Sequence, residues 1–272
     1  MVCGVAMLAL GASKAPAGRP IRLALHPYGG TTLRTVDVTV GGEVRPFILD
    51  TGAGFTVIDP DEVGKAGCSP FGRVVGFRAD GQEVTLKRCG PVTLDIAGYR
   101  ARGEVGVFNL DALLGKGAPP VGGLVGMDSF DHDAVTLDLS HDRLIVETRR
   151  SLAKRIRDLK PVHVRIVRGA GGDVVPFLEV RAHTGTVWME IDSGNNGPVF
   201  LAPHALTQLG VRMPAAGRGA IGLDIMGLGR ATVTAARRKM IYDGELNSLF
   251  LRKIVLTIDF ADGRAWAGWR TR

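Results

Sequence analysis

Beyond its first dozen residues the chain has no uncharged run long enough to cross a bilayer. It has only three cysteines, and none has the spacing of a zinc site. Aromatic residues make up 6% of the chain, and the densest basic patches, Arg149 to Lys160 and Arg237 to Lys239, lack the interleaved aromatics of a single-strand nucleic-acid platform. The formal charge of +7 is therefore read as solvated basic faces, with no nucleic-acid partner and at most transient membrane association. The six histidines, His26, His132, His141, His163, His183 and His204, are scattered, and none joins a Ser or Cys in a nucleophile motif, which disfavours a Ser or Cys hydrolase.

What is present points to a folded, mostly β chain. With 272 residues and 45% hydrophobic side chains there is ample material for a core. The 38 glycines and 14 prolines punctuate short runs of Val, Ile, Leu and Thr, the pattern of short strands joined by turns. Residues 2 to 12 form an apolar stretch without a basic flank. Residues 1 to 20 read as a truncated export leader, with a frayed apolar terminus as the alternative, and an exported, periplasmic or secreted location follows from the first reading. Cys68 and Cys89 are either one disulfide or two unrelated thiols.

An internal repeat organises the rest. Thr35 to Val40 alternates, Gly41 and Gly42 turn the chain, and Arg45 to Leu49 leads into Asp50, Thr51, Gly52 and Ala53. Phe177 to Ala182 alternates in the same way, Thr184 and Gly185 turn the chain, and Val187 to Ile191 leads into Asp192, Ser193, Gly194 and Asn195. After each acidic turn comes an apolar strand and then a helix start: Asp59 and Pro60, with Gly67 as the stop, in one copy, and Ala202 and Pro203, with Gly210 as the stop, in the other. Each half also ends in a hairpin, Val135 to Val146 and Val255 to Ala267. The division is a lobe over 21–150, a basic linker over 151–161 and a lobe over 162–272.

One Asp-Thr/Ser-Gly turn would be ordinary. Two at equivalent points of repeated lobes would meet on a pseudo-twofold axis, where two carboxylates share one proton and one serves as base while the other serves as acid.

These motifs resemble the two active-site loops of aspartic peptidases, and the chain is most similar to bacterial retropepsin-like proteins whose two lobes are fused. The segment Leu124, Val125, Gly126 resembles the hydrophobic-hydrophobic-Gly element packed beside the catalytic loop. The resemblance implies two β-barrel-like lobes with a cleft between them, a monomer, a peptide or protein substrate, and neither cofactor nor metal. It implies Asp50 and Asp192 as catalytic carboxylates; Thr51, Gly52, Ala53, Ser193, Gly194 and Asn195 as loop supports; and Leu124, Val125 and Gly126 as packing. A flap is expected around Val75 to Leu86, with Phe77, Asp80 and Gly81 as its candidate residues, and Gly217 to Gly229 as the equivalent stretch of lobe two. The second lobe departs from the pattern: Glu245 and Asn247 replace an apolar residue and the glycine, and Asn195 and Asn196 stand where small residues are commoner.

Three other readings carry less weight. Gly217, Gly219 and Gly222 spell a dinucleotide fingerprint with no strand before it. Asp128, Asp131, His132, Asp133, Asp138, His141 and Asp142 include metal-ligand types without ligand spacing. The same cleft could also hold an extended peptide without cutting it.

Overall fold

The computed structural model describes residues 18–115, 117–214 and 217–270; the apolar stretch and Cys3 lie outside them. The chain is mostly β, in two lobes of like topology. Alternation decides the first hairpin of each. In Arg34–Val40, Val36, Val38 and Val40 are fully buried while Asp37 faces out, and in Thr186–Ile191, Val187, Met189 and Ile191 are buried. Arg34–Val40 pairs with Glu43–Leu49, and Val174–Arg181 with Thr186–Ile191, both antiparallel.

The later elements repeat as well. Glu43–Leu49 runs parallel to Gly123–Val125, and Thr186–Ile191 runs parallel to Gly244–Leu246. The short strands Val57–Ile58 and Val199–Leu201 run parallel to Tyr99–Val107 and Gly229–Arg237. The lobes then join through one sheet, ordered Lys160–Val162, Arg264–Trp269, Ile254–Asp259, Ala134–Asp138, Arg143–Glu147 and Ile21–Pro27. At its centre Thr136 lies opposite Thr257, their hydroxyls 2.9 Å apart. These residues are 121 apart, the spacing that also relates Gly126 to Asn247, so the pseudo-twofold axis passes between them. A single apolar core cluster extends through both lobes and this sheet, with Phe47, Phe130, Phe250 and Phe260 among its largest buried side chains.

The helices are short. Arg149–Arg155 occupies the basic connector and starts at a capping box of Thr148 and Ser151. Pro203–Leu209 starts without a side-chain cap at Ala202 and ends at Gly210, whose φ of 67° is left-handed. The helix expected after Asp59 shrinks to a 3-10 turn, Pro60–Glu62, capped by the Asp59 carboxylate. Glu62 is buried there against Arg45 and Lys65 and anchors the loop to the neighbouring hairpin.

The stretch Gly217 to Gly229 corrects the expectation. It forms the strand Arg218–Ile225 and the turn into Gly229–Arg237. Ile225 pairs with Val180 as Ile96 pairs with Val38, so this hairpin matches the base of Glu83–Ile96 with Tyr99–Val107 and is no second flap. Of the fingerprint glycines, Gly219 and Gly222 lie within the strand and Gly217 just before it, which also removes the dinucleotide reading. Among the described residues lobe one alone carries a flap, Phe71–Phe77 with the outer part of Glu83–Ile96.

Cys68 and Cys89 are joined in a disulfide.

Candidate active site

Asp50 and Asp192 end their strands because the next residues must turn, and the turn is fixed by hydrogen bonds to the carboxylates themselves. The Asp50 Oδ1 accepts from the Gly52 and Ala53 amides at 3.0 and 3.1 Å. The Asp192 Oδ1 accepts from the Gly194 and Asn195 amides at 2.8 and 3.1 Å. The two turns face each other so closely that a Cβ on Gly52 would lie 2.8 Å from the Asp192 carboxyl carbon, and one on Gly194 would lie 2.5 Å from that of Asp50. Only glycine permits this approach. The two carboxyls are in hydrogen-bonding contact across the axis.

The hydroxyls lock the loops together. Thr51 Oγ1 donates to the Ile191 carbonyl at 2.6 Å and accepts from the Ser193 amide at 2.9 Å. Ser193 Oγ donates to the Leu49 carbonyl at 2.9 Å and accepts from the Thr51 amide at 3.0 Å. Both side chains are buried, so all four bonds are sheltered from water.

Behind each loop lies the packing element. The Asp50 amide donates to the Val125 carbonyl, and the Asp192 amide to the Leu246 carbonyl. Met127 N donates to Ala53 O, and Ser248 N to Asn195 O. The second loop therefore keeps the geometry of the first despite its altered residues, and the asparagines show how. Asn195 Nδ2 donates to the Pro198 carbonyl and its Oδ1 accepts from Gly197 N. Asn247 Nδ2 donates to the Gly197 carbonyl while its Oδ1 accepts from Phe250 N, capping a short helix. In lobe one Gly126 N instead donates to Thr56 Oγ1, which donates to Asp128.

Burial is the largest influence on the dyad and pushes both carboxyls upward. The contact with Asp192 and the turn amides pull Asp50 back down, whereas the charges of Asp50, Glu190 and Glu245 push Asp192 further up. The two carboxyls therefore titrate as one coupled pair that can hold a single shared proton.

The dyad forms the floor of a cavity of about 510 Å³ between the lobes. Of the flap residues, Phe77 lines the cavity; Asp80 and Gly81 sit at the tip and reach lobe two instead. Arg238 Nη2 donates to Asp80 Oδ2 at 3.2 Å, and Ile241 N donates to Ala79 O at 2.8 Å, so the flap lies closed over the dyad. The acidic and histidine cluster after Asp128 is tied up structurally: Asp128 with Thr56, Asp133 with Tyr99, and Asp138 with Arg143 and Arg270.

Glu190 escaped the sequence reading, and Glu245 entered it only as a departure from the packing element. Glu190 and Glu245 line the same cavity, and with Asp192 each offers a carboxylate oxygen within 4.8 Å of the others, the one grouping among the described residues with the spacing of a cation site. The signal was available in the repeat: Glu190 stands where the first copy has Ile48, and a lone carboxylate interrupts the apolar run Val187 to Ile191.

Residues 36–129 match the family model described as aspartyl protease, a span that includes the Asp50 loop and Leu124 to Gly126. No curated protein matched the chain. Two solved structures resemble it along nearly its whole length. Conglutin gamma, a basic 7S globulin from lupine seeds, superimposes with a TM-score of 0.55 at 8% identity, covering 92% of this chain and 94% of that one. Basic 7S globulin from soybean gives 0.57 at 10% identity, covering 92% and 96%. At such identities the two structures speak for the fold alone. The first lobe is thus similar to aspartyl proteases over residues 36–129, and both lobes together have the acid-protease type of fold.

Proposed function

We propose that the protein is an aspartic endopeptidase that hydrolyses peptide bonds with a water activated by Asp50 and Asp192. The observation that carries this reading is the contact of the two carboxyls on the pseudo-twofold axis, each fixed by two amides and by the crossed Thr51 and Ser193 bonds. One carboxylate of the pair takes the proton of the attacking water, while its protonated partner donates to the substrate carbonyl oxygen as it becomes tetrahedral. The proton then passes to the leaving amine, so no covalent intermediate forms. The closed flap excludes bulk water from these transfers and presses an extended peptide along the cleft.

The substrate is a peptide or an unfolded protein segment, and the working unit is one chain, since both carboxylates belong to it. The disulfide supports a location in an oxidising compartment outside the cytoplasm.

A second reading, a peptide-binding module without cleavage, is favoured by one observation: beside the dyad the second lobe carries the carboxylates of Glu190 and Glu245 where the first lobe has the apolar pair Ile48 and Leu124. Incubating the protein with a mixed peptide library, beside Asp50→Asn and Asp192→Asn, separates the two. Cleavage that disappears in both variants supports the peptidase; saturable peptide binding without cleavage at any pH supports the module.

A further inference from the structure

Lobe one sets Ile48 beside Leu124 in the wall next to Asp50, and lobe two sets Glu190 beside Glu245 at the twofold-related place next to Asp192. Both glutamates line the cavity, yet Glu190 is only 3% exposed and Glu245 only 5%. Packing alone would favour the apolar pair, because a buried carboxylate loses its water and repels its neighbours. Inside the protein only the charge of Arg238 offsets part of the loss, at Glu245, and no described residue offsets it at Glu190. Among the described residues none hydrogen-bonds the Glu190 carboxyl, and Glu245 receives one long bond, 3.4 Å from Asn195 Nδ2. The guanidinium of Arg238 is engaged elsewhere, with Asp80 and over the Phe200 ring. Two unpaired carboxylates facing a substrate cavity are one half of an ion pair.

We propose that Glu190 and Glu245 form a side-chain subsite on the lobe-two side of the dyad that takes a lysine or arginine of the substrate. The twofold-related subsite, walled by Leu124, Phe108 and Leu113, takes an apolar residue, so the bond cut lies between an apolar and a basic residue. Tyr242 also lines the cavity, its ring edge-on to Phe177, and offers a face for the alkyl stem of the basic residue. Burial pushes Glu245 up to about 7 and Glu190 well above the usual carboxylate range, and each glutamate's charge adds to the cost of ionising its neighbours. A seated guanidinium or ammonium returns both to the ionised form. The position of the cut rests on the peptidase reading; the subsite itself does not.

The test reads cleavage and binding separately. Cut sites in a peptide library are mapped by mass spectrometry for the parent, Glu190→Gln, Glu245→Gln and the double variant Glu190→Ile with Glu245→Leu, which copies lobe one. Binding to Asp50→Asn is titrated with an arginine-containing peptide pool and its citrulline twin, which keeps the shape and drops the charge. The expected results are a basic residue at one fixed position beside the cut bond, and a preference for arginine over citrulline of about tenfold or more in both readouts. Each glutamine variant should reduce that preference, and the double variant should accept apolar residues there. Cleavage without a basic preference, or a preference that survives both glutamine variants, overturns the subsite and leaves the peptidase standing. Absence of cleavage with the arginine preference retained in binding supports the subsite and removes the peptidase. Equal binding of the twins, together with calcium binding that Glu190→Gln abolishes, overturns the subsite in favour of a cation site.

Discussion

Thr51 and Ser193 make the site a property of both lobes at once, since each hydroxyl bonds the backbone of the opposite loop. Thr51→Ala would leave the Ser193 amide and the Ile191 carbonyl buried without their partners. It is expected to cost about 2 kcal/mol in urea denaturation and to lower kcat more than KM. Thr51→Ser should restore both, because it returns the hydroxyl; failure of that rescue would show that the methyl packing, and not the crossed bonds, holds the loops. The dyad residues could be read from sequence because a carboxylate, a hydroxyl and a glycine recur at one spacing. Glu190 stood out in the repeat as a carboxylate in the place of Ile48, but its neighbour did not, since only the pairing of Glu190 with Glu245 shows which side chain it meets.

At the scale of elements the flap is held in two ways. The disulfide from Cys68 to Cys89 closes the loop that contains the whole flap, and the tip is tied to lobe two through Asp80 and Ile241. Cys68→Ser with Cys89→Ser is expected to lower stability by about 3 kcal/mol by freeing that loop in the unfolded chain. Calorimetry of the purified variant checks it, and an unchanged melting temperature would mean that the strand pairing alone fixes the loop. Asp80→Ala removes an exposed, solvent-screened ion pair, so global stability should hold. Hydrogen exchange at residues 78–82 should nevertheless quicken, since the tip loses one of its ties. Exchange as slow as in the parent would place the closure in the Ile241 amide alone. The hairpin tip at Asp80 and Gly81 was legible because a turn dipeptide sits between alternating strands. The mate expected at Gly217 to Gly229 was not legible, because glycines in a strand and glycines in a loop look alike until the pairing of Ile225 with Val180 is known.

For the whole molecule, the sheet between the lobes decides whether the loops meet. Its centre pairs Thr136 with Thr257, and its rim holds Asp138 against Arg143 and Arg270, joining the first lobe's last hairpin to the end of the second. Burial alone would raise Asp138, but the bonds from Arg270, His141 and Ser140 hold it down at about 2. A carboxylate lowered on folding contributes stability that is complete above its ordinary value of about 4 and is lost as pH falls toward its folded value. Denaturation midpoints should accordingly fall through that acid window, and Asp138→Asn should flatten the fall; an equal slope in both proteins would assign acid sensitivity elsewhere. The two hairpins at this interface were legible as the matched ends of each half. Their pairing across the axis was not, because register between distant strands leaves no local pattern.

The most direct measurement is the pH dependence of kcat/KM for peptide cleavage by the parent. A pair sharing one proton predicts a bell, rising as the first proton leaves the dyad and falling as the second leaves, with the falling limb set above the ordinary carboxylate range because burial raises both groups. A rate that climbs to a plateau with a single ionisation, or that persists in Asp192→Asn, would contradict catalysis by the shared carboxylates.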